Sequence, residues 1–137
     1  PKMTPYFGEN LKSSFIKCII ENNDRDTSVT KLGFDGGLIT TKILNKAIGS
    51  PVRIRIRAQD IAVSIEQPQD ISIANIFEVK IKTIEPSEEG FVDLSLIVRN
   101  TVFWARLTKS SVTNLKLSPG KFVYALFKST AIEVLGH

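Results

Sequence analysis

The stretch Val52-Arg53-Ile54-Arg55-Ile56-Arg57 alternates apolar and charged residues with a period of two. Successive side chains on a strand point to opposite faces, so this run puts three aliphatics on one side and three arginines on the other. Such a strand covers a hydrophobic interior with one face and meets water with the other; Arg53 and Arg55 are read as its solvated side. Other short runs share its character: Phe15–Ile20, Ser28–Phe34, Ile61–Ile65, Phe91–Val98, Thr101–Leu107, Phe122–Phe127 and Ala131–Leu135. Ile71–Ile84 adds a longer apolar segment that ends at Glu85-Pro86-Ser87-Glu88-Glu89-Gly90.

The connections fit the same picture. Asp35-Gly36-Gly37 supplies the positive φ angles of a tight hairpin, and Asn100 of Arg99-Asn100 suits the left-handed conformation. Glu21–Thr27 reads as a polar loop, and Ser110–Leu117 as one short helical turn with a serine cap. About ten short strands and at most two short helices predict an all-β barrel or sandwich. Residues 1–12, with two prolines and a glycine, read as a linker from a preceding domain, and residues 13–137 as the folded unit. Its halves are expected at about 13–67 and 70–135.

Composition narrows the function classes. Hydrophobic residues make up 42% and charged residues 23%, as in ordinary globular domains. The formal charge of +4 favours anionic partners but is too dispersed for the concentrated basic face that nucleic acid needs. Phe91, Phe103, Trp104, Phe122, Tyr124 and Phe127 fall within apolar strands, where packing in the core is expected rather than base stacking. Cys18 is the single cysteine and His137 the single histidine, at the last position. No disulfide, thiolate cluster or His-based catalytic arrangement can therefore be built, and no HExxH, GxSxG or GxxxxGK[ST] pattern occurs. Asp60, Asp70 and Asp93 are separated carboxylates, read as facing solvent or capping turns. The chain reads as a binding module without metal ligation by side chains, not as an enzyme.

Two segments 71 positions apart share one spacing: Gly49, Val52, Arg57, Ile61 and Val63 fall on Gly120, Val123, Lys128, Ile132 and Val134. Leu44 falls on Leu115, and Thr40 on Ser111, without a gap. The apolar matches say that one fold is built twice. The polar matches say more: a cation after a strand (Arg57 or Lys128) recurs with a hydroxyl opening a short helical stretch (Thr40 or Ser111). Charge from the one and directed hydrogen bonds from the other are parts of an anion pocket. Solvated strand ends would show the same pattern.

The run Pro51–Ile65, with Ala58-Gln59-Asp60 after the arginines, resembles the C-terminal regulatory domain of the ATP-binding subunit of bacterial molybdate importers. The resemblance extends over roughly residues 11–135, through Leu32–Gly37, Ser72-Ile73-Ala74-Asn75, Ala105–Thr108, Leu115–Gly120 and Lys128-Ser129. It implies OB-like barrels of the molbindin (TOBE-type) class in two interlocked halves. It also implies a molybdate or tungstate oxyanion as ligand, held by Ser72, Ser111 and Lys128, with Ser129 and the amides of Ile73 and Ala74 beside them; no cofactor is implied. Thr40 and Arg57 stand as a second, quasi-equivalent site. Many members carry arginine where this chain has Ala74, which predicts weaker binding here. The implied partners are a second copy through the barrel domain, the ATP-binding domain of the same parent chain and a membrane permease. The implied location is the cytoplasmic side of the inner membrane. The alternative is an assembly module, without ligand, on the ATPase of an importer for another solute.

Overall fold

The computed structural model describes residues 12–136. The chain forms β1 (Ser13–Asp24), β2 (Val29–Phe34), β3 (Gly37–Lys42), β4 (Pro51–Arg57), β5 (Ala62–Ser64), β6 (Asn75–Pro86), β7 (Phe91–Val98), β8 (Thr101–Thr108), a helix α1 (Lys109–Asn114), β9 (Phe122–Phe127) and β10 (Glu133–Val134). Two 3-10 turns, Ala58–Asp60 and Ser129–Ala131, follow β4 and β9. The architecture is all-β, as the sequence predicts.

The strands make two five-stranded sheets, ordered β10-β4-β1-β2-β3 and β5-β9-β6-β7-β8. Each half thus borrows its last strand from the other. Ala62–Ser64 pairs with Leu126–Tyr124 of the second half, and Glu133–Val134 pairs with Arg55–Ile54 of the first. The repeat is visible bond by bond. Gly49 and Gly120 take φ of 91° and 93°. Their amides donate to Ile20 O (2.8 Å) and Ile81 O (2.7 Å), while Ile20 and Ile81 donate to Ser50 O and Lys121 O, both at 2.9 Å. The positive φ, not crowding, is why glycine holds both corners, since the space around each is open.

Strand β4 behaves as its alternation dictates: Val52, Ile54 and Ile56 are buried, while Arg53 and Arg57 are exposed. Arg55 departs from the solvated reading. Half-buried, it donates to Ser13 Oγ and Glu133 Oε1, both at 2.9 Å. One core runs through both halves, from Ile16, Ile20 and Leu32 to Ile81, Leu96 and Val123. Phe34, Phe77, Phe103 and Phe127 meet within it, with ring centroids 5.4–6.0 Å apart. Burying side chains of this size stabilises by about 1.5–3 kcal/mol each. Cys18 lies in the same core, where burial raises its thiol to about 11 and keeps it inert.

Several local expectations change. Residues 21–24 extend β1 rather than forming a loop, because Asn23 accepts from Thr30 Oγ1 at 2.6 Å and donates to Lys46 O at 3.1 Å. In the β2–β3 turn only Gly37 has positive φ, at 137°. In the β7–β8 turn the left-handed residue is Arg99 (φ 52°), not Asn100, whose amide is aimed instead at Asp35 Oδ2, 2.9 Å away. The helix is capped by Thr108, whose hydroxyl accepts from the Ser111 amide. Phe103 and Phe127 are core residues, but Phe91 and Phe122 are exposed, and Trp104 and Tyr124 half-buried. Residues 1–11 and His137 of the expected linker and terminus lie outside the described residues. Lys12 does not behave as linker: its ammonium sits 3.9 Å above the Trp104 ring and its carbonyl accepts from the Ala58 amide.

Candidate functional site

Both 3-10 turns begin the same way. Arg57 (φ −69°, ψ 143°) and Lys128 (φ −77°, ψ 152°) leave their strands extended and precede turns closed by hydrogen bonds from the Ile61 amide to Ala58 O and from the Ile132 amide to Ser129 O. The exchange of β5 and β10 brings these two repeat-related corners side by side. Arg57 and Lys128 line one cleft of about 430 Å³, together with Gln59, Asp60, Ile73, Thr130 and Ala131. What the spacing separates into two quasi-equivalent sites is, in the fold, one cleft with a cation from each half.

The two cations are not in the same state. Arg57 Nε donates to Asp60 Oδ2 at 3.1 Å, an ion pair across the turn. Lys128 is exposed and has no carboxylate within ion-pair distance among the described residues. The residue that the repeat places opposite Asp60 is Ala131, which brings no charge. Arg106 does not supply a further cation here. It forks onto buried Asp93 (2.9 and 3.2 Å) and reaches Glu88 at 3.5 Å.

The remaining expected residues fall in different places. Ile73 lines the cleft, whereas Ser72 and Ala74 sit exposed on the connection before β6 and are not part of its wall. Ser129 donates its hydroxyl to Thr40 O at 2.8 Å, so that proton is spent within the chain. Ser111 lies in α1, and its hydroxyl accepts from Thr108 Oγ1 at 3.0 Å. Thr40 is corrected outright: it lies in the middle of β3, not at a helix start. The ungapped match to Ser111 fails because the second half inserts α1 between β8 and β9 and the first half has no helix there. Thr40 Oγ1 accepts from Lys31 Nζ at 2.7 Å, and its backbone is clamped by Asn75.

Asp60 and Asn75 take roles that their sequence context does not announce. Asp60, expected to face solvent or cap a turn, is half-buried in the cleft wall; Asp93, with the same expectation, is buried under Arg106. The spacing of Arg57 and Asp60, three residues apart after a strand end, was the available signal. Buried Asn75 accepts from the Thr40 amide at 2.8 Å and donates to Thr40 O at 3.0 Å, closing the edge of β3. Its counterpart is Ser14, which accepts from the Trp104 amide at 2.8 Å on the edge of β8.

Comparison with known proteins bears on the family likeness and on the fold. Residues 71–134 match the TOBE domain family. The chain is 31% identical over 132 residues to the Molybdenum import ATP-binding protein ModC of Paramagnetospirillum magneticum, covering 96% of this chain and 36% of that protein. It is 38% identical over 85 residues to ModC of Rhizobium etli, covering 62% of this chain and 24% of that protein. Against ModC of Escherichia coli the identity is 27% over 130 residues, with 95% and 37% covered. The matched part therefore amounts to between about a quarter and little more than a third of these relatives' length. A solved structure of the cytoplasmic molybdate-binding protein ModG, with molybdate bound, superposes with a TM-score of 0.74 at 20% identity, covering 88% of this chain and 93% of that one. That likeness establishes the fold, the molbindin-type arrangement of curled sheets. Among the described residues, no helix is long and apolar enough to cross a membrane.

Proposed function

We propose a function from one premise: residues 71–134 match the TOBE domain family, and the chain is similar to the molybdenum import ATP-binding proteins. A TOBE domain of this type is a binding fold, not a catalytic one. The function is to bind a tetrahedral oxyanion, molybdate or tungstate, and to report its concentration to an importer ATPase. The observation that carries this reading is the single cleft shared by Lys128 and Arg57, one cation from each half. Lys128 supplies the unpaired charge, Thr130 and the amides near Ile73 supply hydrogen bonds, and Ser72 and Ser111, which lie outside the cleft wall, complete the shell from a second copy. A small dianion needs no chemistry performed on it; it needs its hydration replaced by directed donors and a cation. If the ligand favours one arrangement of paired domains, occupancy is tied to transport by linkage. In that role the domain works on the cytoplasmic face, joined to an ATP-binding domain and opposite a permease.

Calorimetric titration with molybdate, tungstate and sulfate tests the reading. Molybdate and tungstate are expected to bind below millimolar. Lys128→Ala is expected to weaken them roughly tenfold or more, since a charge-assisted hydrogen bond is worth about 1.5–3 kcal/mol. Lys82→Ala, on an exposed position of β6, is expected to leave binding unchanged. Silence of the unmodified chain toward all three ions rejects the oxyanion role.

One observation favours a second reading. Ser129 has spent its proton on Thr40, so one expected donor is missing, and Ala74 stands where many members of the resembled family carry arginine. On that view the chain is an assembly module of an importer ATPase. It then associates with a second copy equally well with and without molybdate in sedimentation experiments, whereas the oxyanion role calls for ligand-dependent association.

A further inference from the structure

Resting on the oxyanion reading, we infer that Asp60 is the specificity-determining residue of the cleft. It occupies Arg57 in an ion pair and handicaps fully deprotonated dianions against oxyanions that carry a proton. The internal repeat makes this visible, because it provides a matched comparison within one molecule. The same 3-10 turn is built twice beside the same cleft: Arg57 with Asp60 on one side, Lys128 with Ala131 on the other. Asp60 Oδ2 accepts from Arg57 Nε at 3.1 Å, and both side chains face the cleft.

Two consequences follow from charge and hydrogen-bond capacity. Two cations less one carboxylate leave the cleft a single net positive charge against a dianion's two negatives, and the uncommitted charge is at Lys128. The other polar lining residues, Gln59 and Thr130, are neutral. A carboxylate is moreover an acceptor only. It repels the oxygens of molybdate, tungstate or sulfate, which have no proton to give, but accepts from the hydroxyl of hydrogen phosphate. Asp60 therefore narrows the gap between a bare tetrahedral dianion and a protonated one, and sets the affinity for the former low.

Asp60→Asn keeps the size of the side chain and removes its charge, leaving Arg57 available to the ligand. Ala131→Asp places a carboxylate at the repeat-related position beside Lys128. Both are titrated with sodium molybdate and with inorganic phosphate at neutral pH, alongside the unmodified chain, with thermal melts to confirm folding. Asp60→Asn is expected to tighten molybdate roughly tenfold and phosphate less, so that the ratio of the two affinities rises. The gain is expected to shrink in about 0.5 M salt, as a screened charge effect must. Ala131→Asp is expected to weaken molybdate; if that variant does not fold, Asp60→Asn decides alone. Molybdate binding by the unmodified chain that Asp60→Asn leaves equal or weaker overturns the role of Asp60 and leaves the oxyanion reading intact. Absence of molybdate binding in both the unmodified chain and Asp60→Asn overturns the oxyanion reading, and this inference with it.

Discussion

Single residues in this molecule are informative when their partners are fixed by the fold. Arg106 and Asp93 form a bidentate pair with side chains only 7% and 5% exposed, on neighbouring strands β8 and β7. Removing Arg106 strips buried Asp93 of its bidentate partner and leaves it, among the described residues, only the Lys12 ammonium, 3.9 Å away, which costs more than the pair contributes. Arg106→Ala is thus expected to destabilise the chain by about 3–5 kcal/mol in urea unfolding. A loss below about 1 kcal/mol would place the pair with ordinary surface ion pairs. Arg57 and Asp60 are the contrasting case. That pair is more open to solvent, so its significance lies in what it denies to a ligand rather than in stability.

At the level of strands and turns, one edge of each sheet is held by side chains of the other half rather than by a further strand. Asn75 holds both backbone groups of Thr40 on β3, and Ser14 holds the Trp104 amide on β8. Asn75→Ala strips the Thr40 amide of its partner and is expected to cost about 1–3 kcal/mol. Amide hydrogen exchange at Thr40 should accelerate in that variant while exchange in β1 stays slow; uniform acceleration would contradict a local role. These edges also mark where reading the sequence succeeded and where it stopped. Periodicity is a local property, so β4, β7, β8 and β9 were legible from their alternation and apolar runs. Strand β3, Gly37–Lys42, was not, because Thr40, Thr41 and Lys42 dilute its pattern. Lys128 and Arg57 were legible as site residues through the repeat, but their convergence on one cleft was not. It depends on β5 and β10 crossing between halves; the runs Ile61–Ile65 and Ala131–Leu135 announce the strands, but nothing local in them says which sheet they join. Thr40 was misplaced for a related reason: an inserted helix shifts the spacing, and an ungapped comparison cannot register it.

Over the whole molecule, the two halves are tied where their hairpin turns meet as well as by shared strands. Asp35, in the β2–β3 turn, accepts from Thr101 Oγ1 at 2.6 Å and from the Asn100 amide at 2.9 Å, both at the β7–β8 corner. Those hydrogen bonds, the Thr101 hydroxyl first, hold its carboxyl below the ordinary 3.8. A carboxyl depressed on folding contributes stability that is present above its unfolded value and disappears as pH falls through the folded one. Thermal midpoints of the unmodified chain and Asp35→Asn are therefore expected to differ at neutral pH and to converge as the pH is taken below about 4. Curves that run parallel across that window would show that the contact between turns does not depend on the charge.

The crossing of β5 and β10 has one further consequence. Each half satisfies its fourth strand with a segment delivered by an exposed irregular connection, residues 65–74, and nothing in the pairing itself requires that segment to come from the same polypeptide. Two molecules whose connections open together can trade halves and close again with the β4–β10 and β9–β5 pairings restored between chains. The architecture that builds the cleft within one chain is thus also a route to domain swapping, and crowded or partly unfolded preparations would accumulate intertwined dimers whose contacts are indistinguishable from those of the monomer.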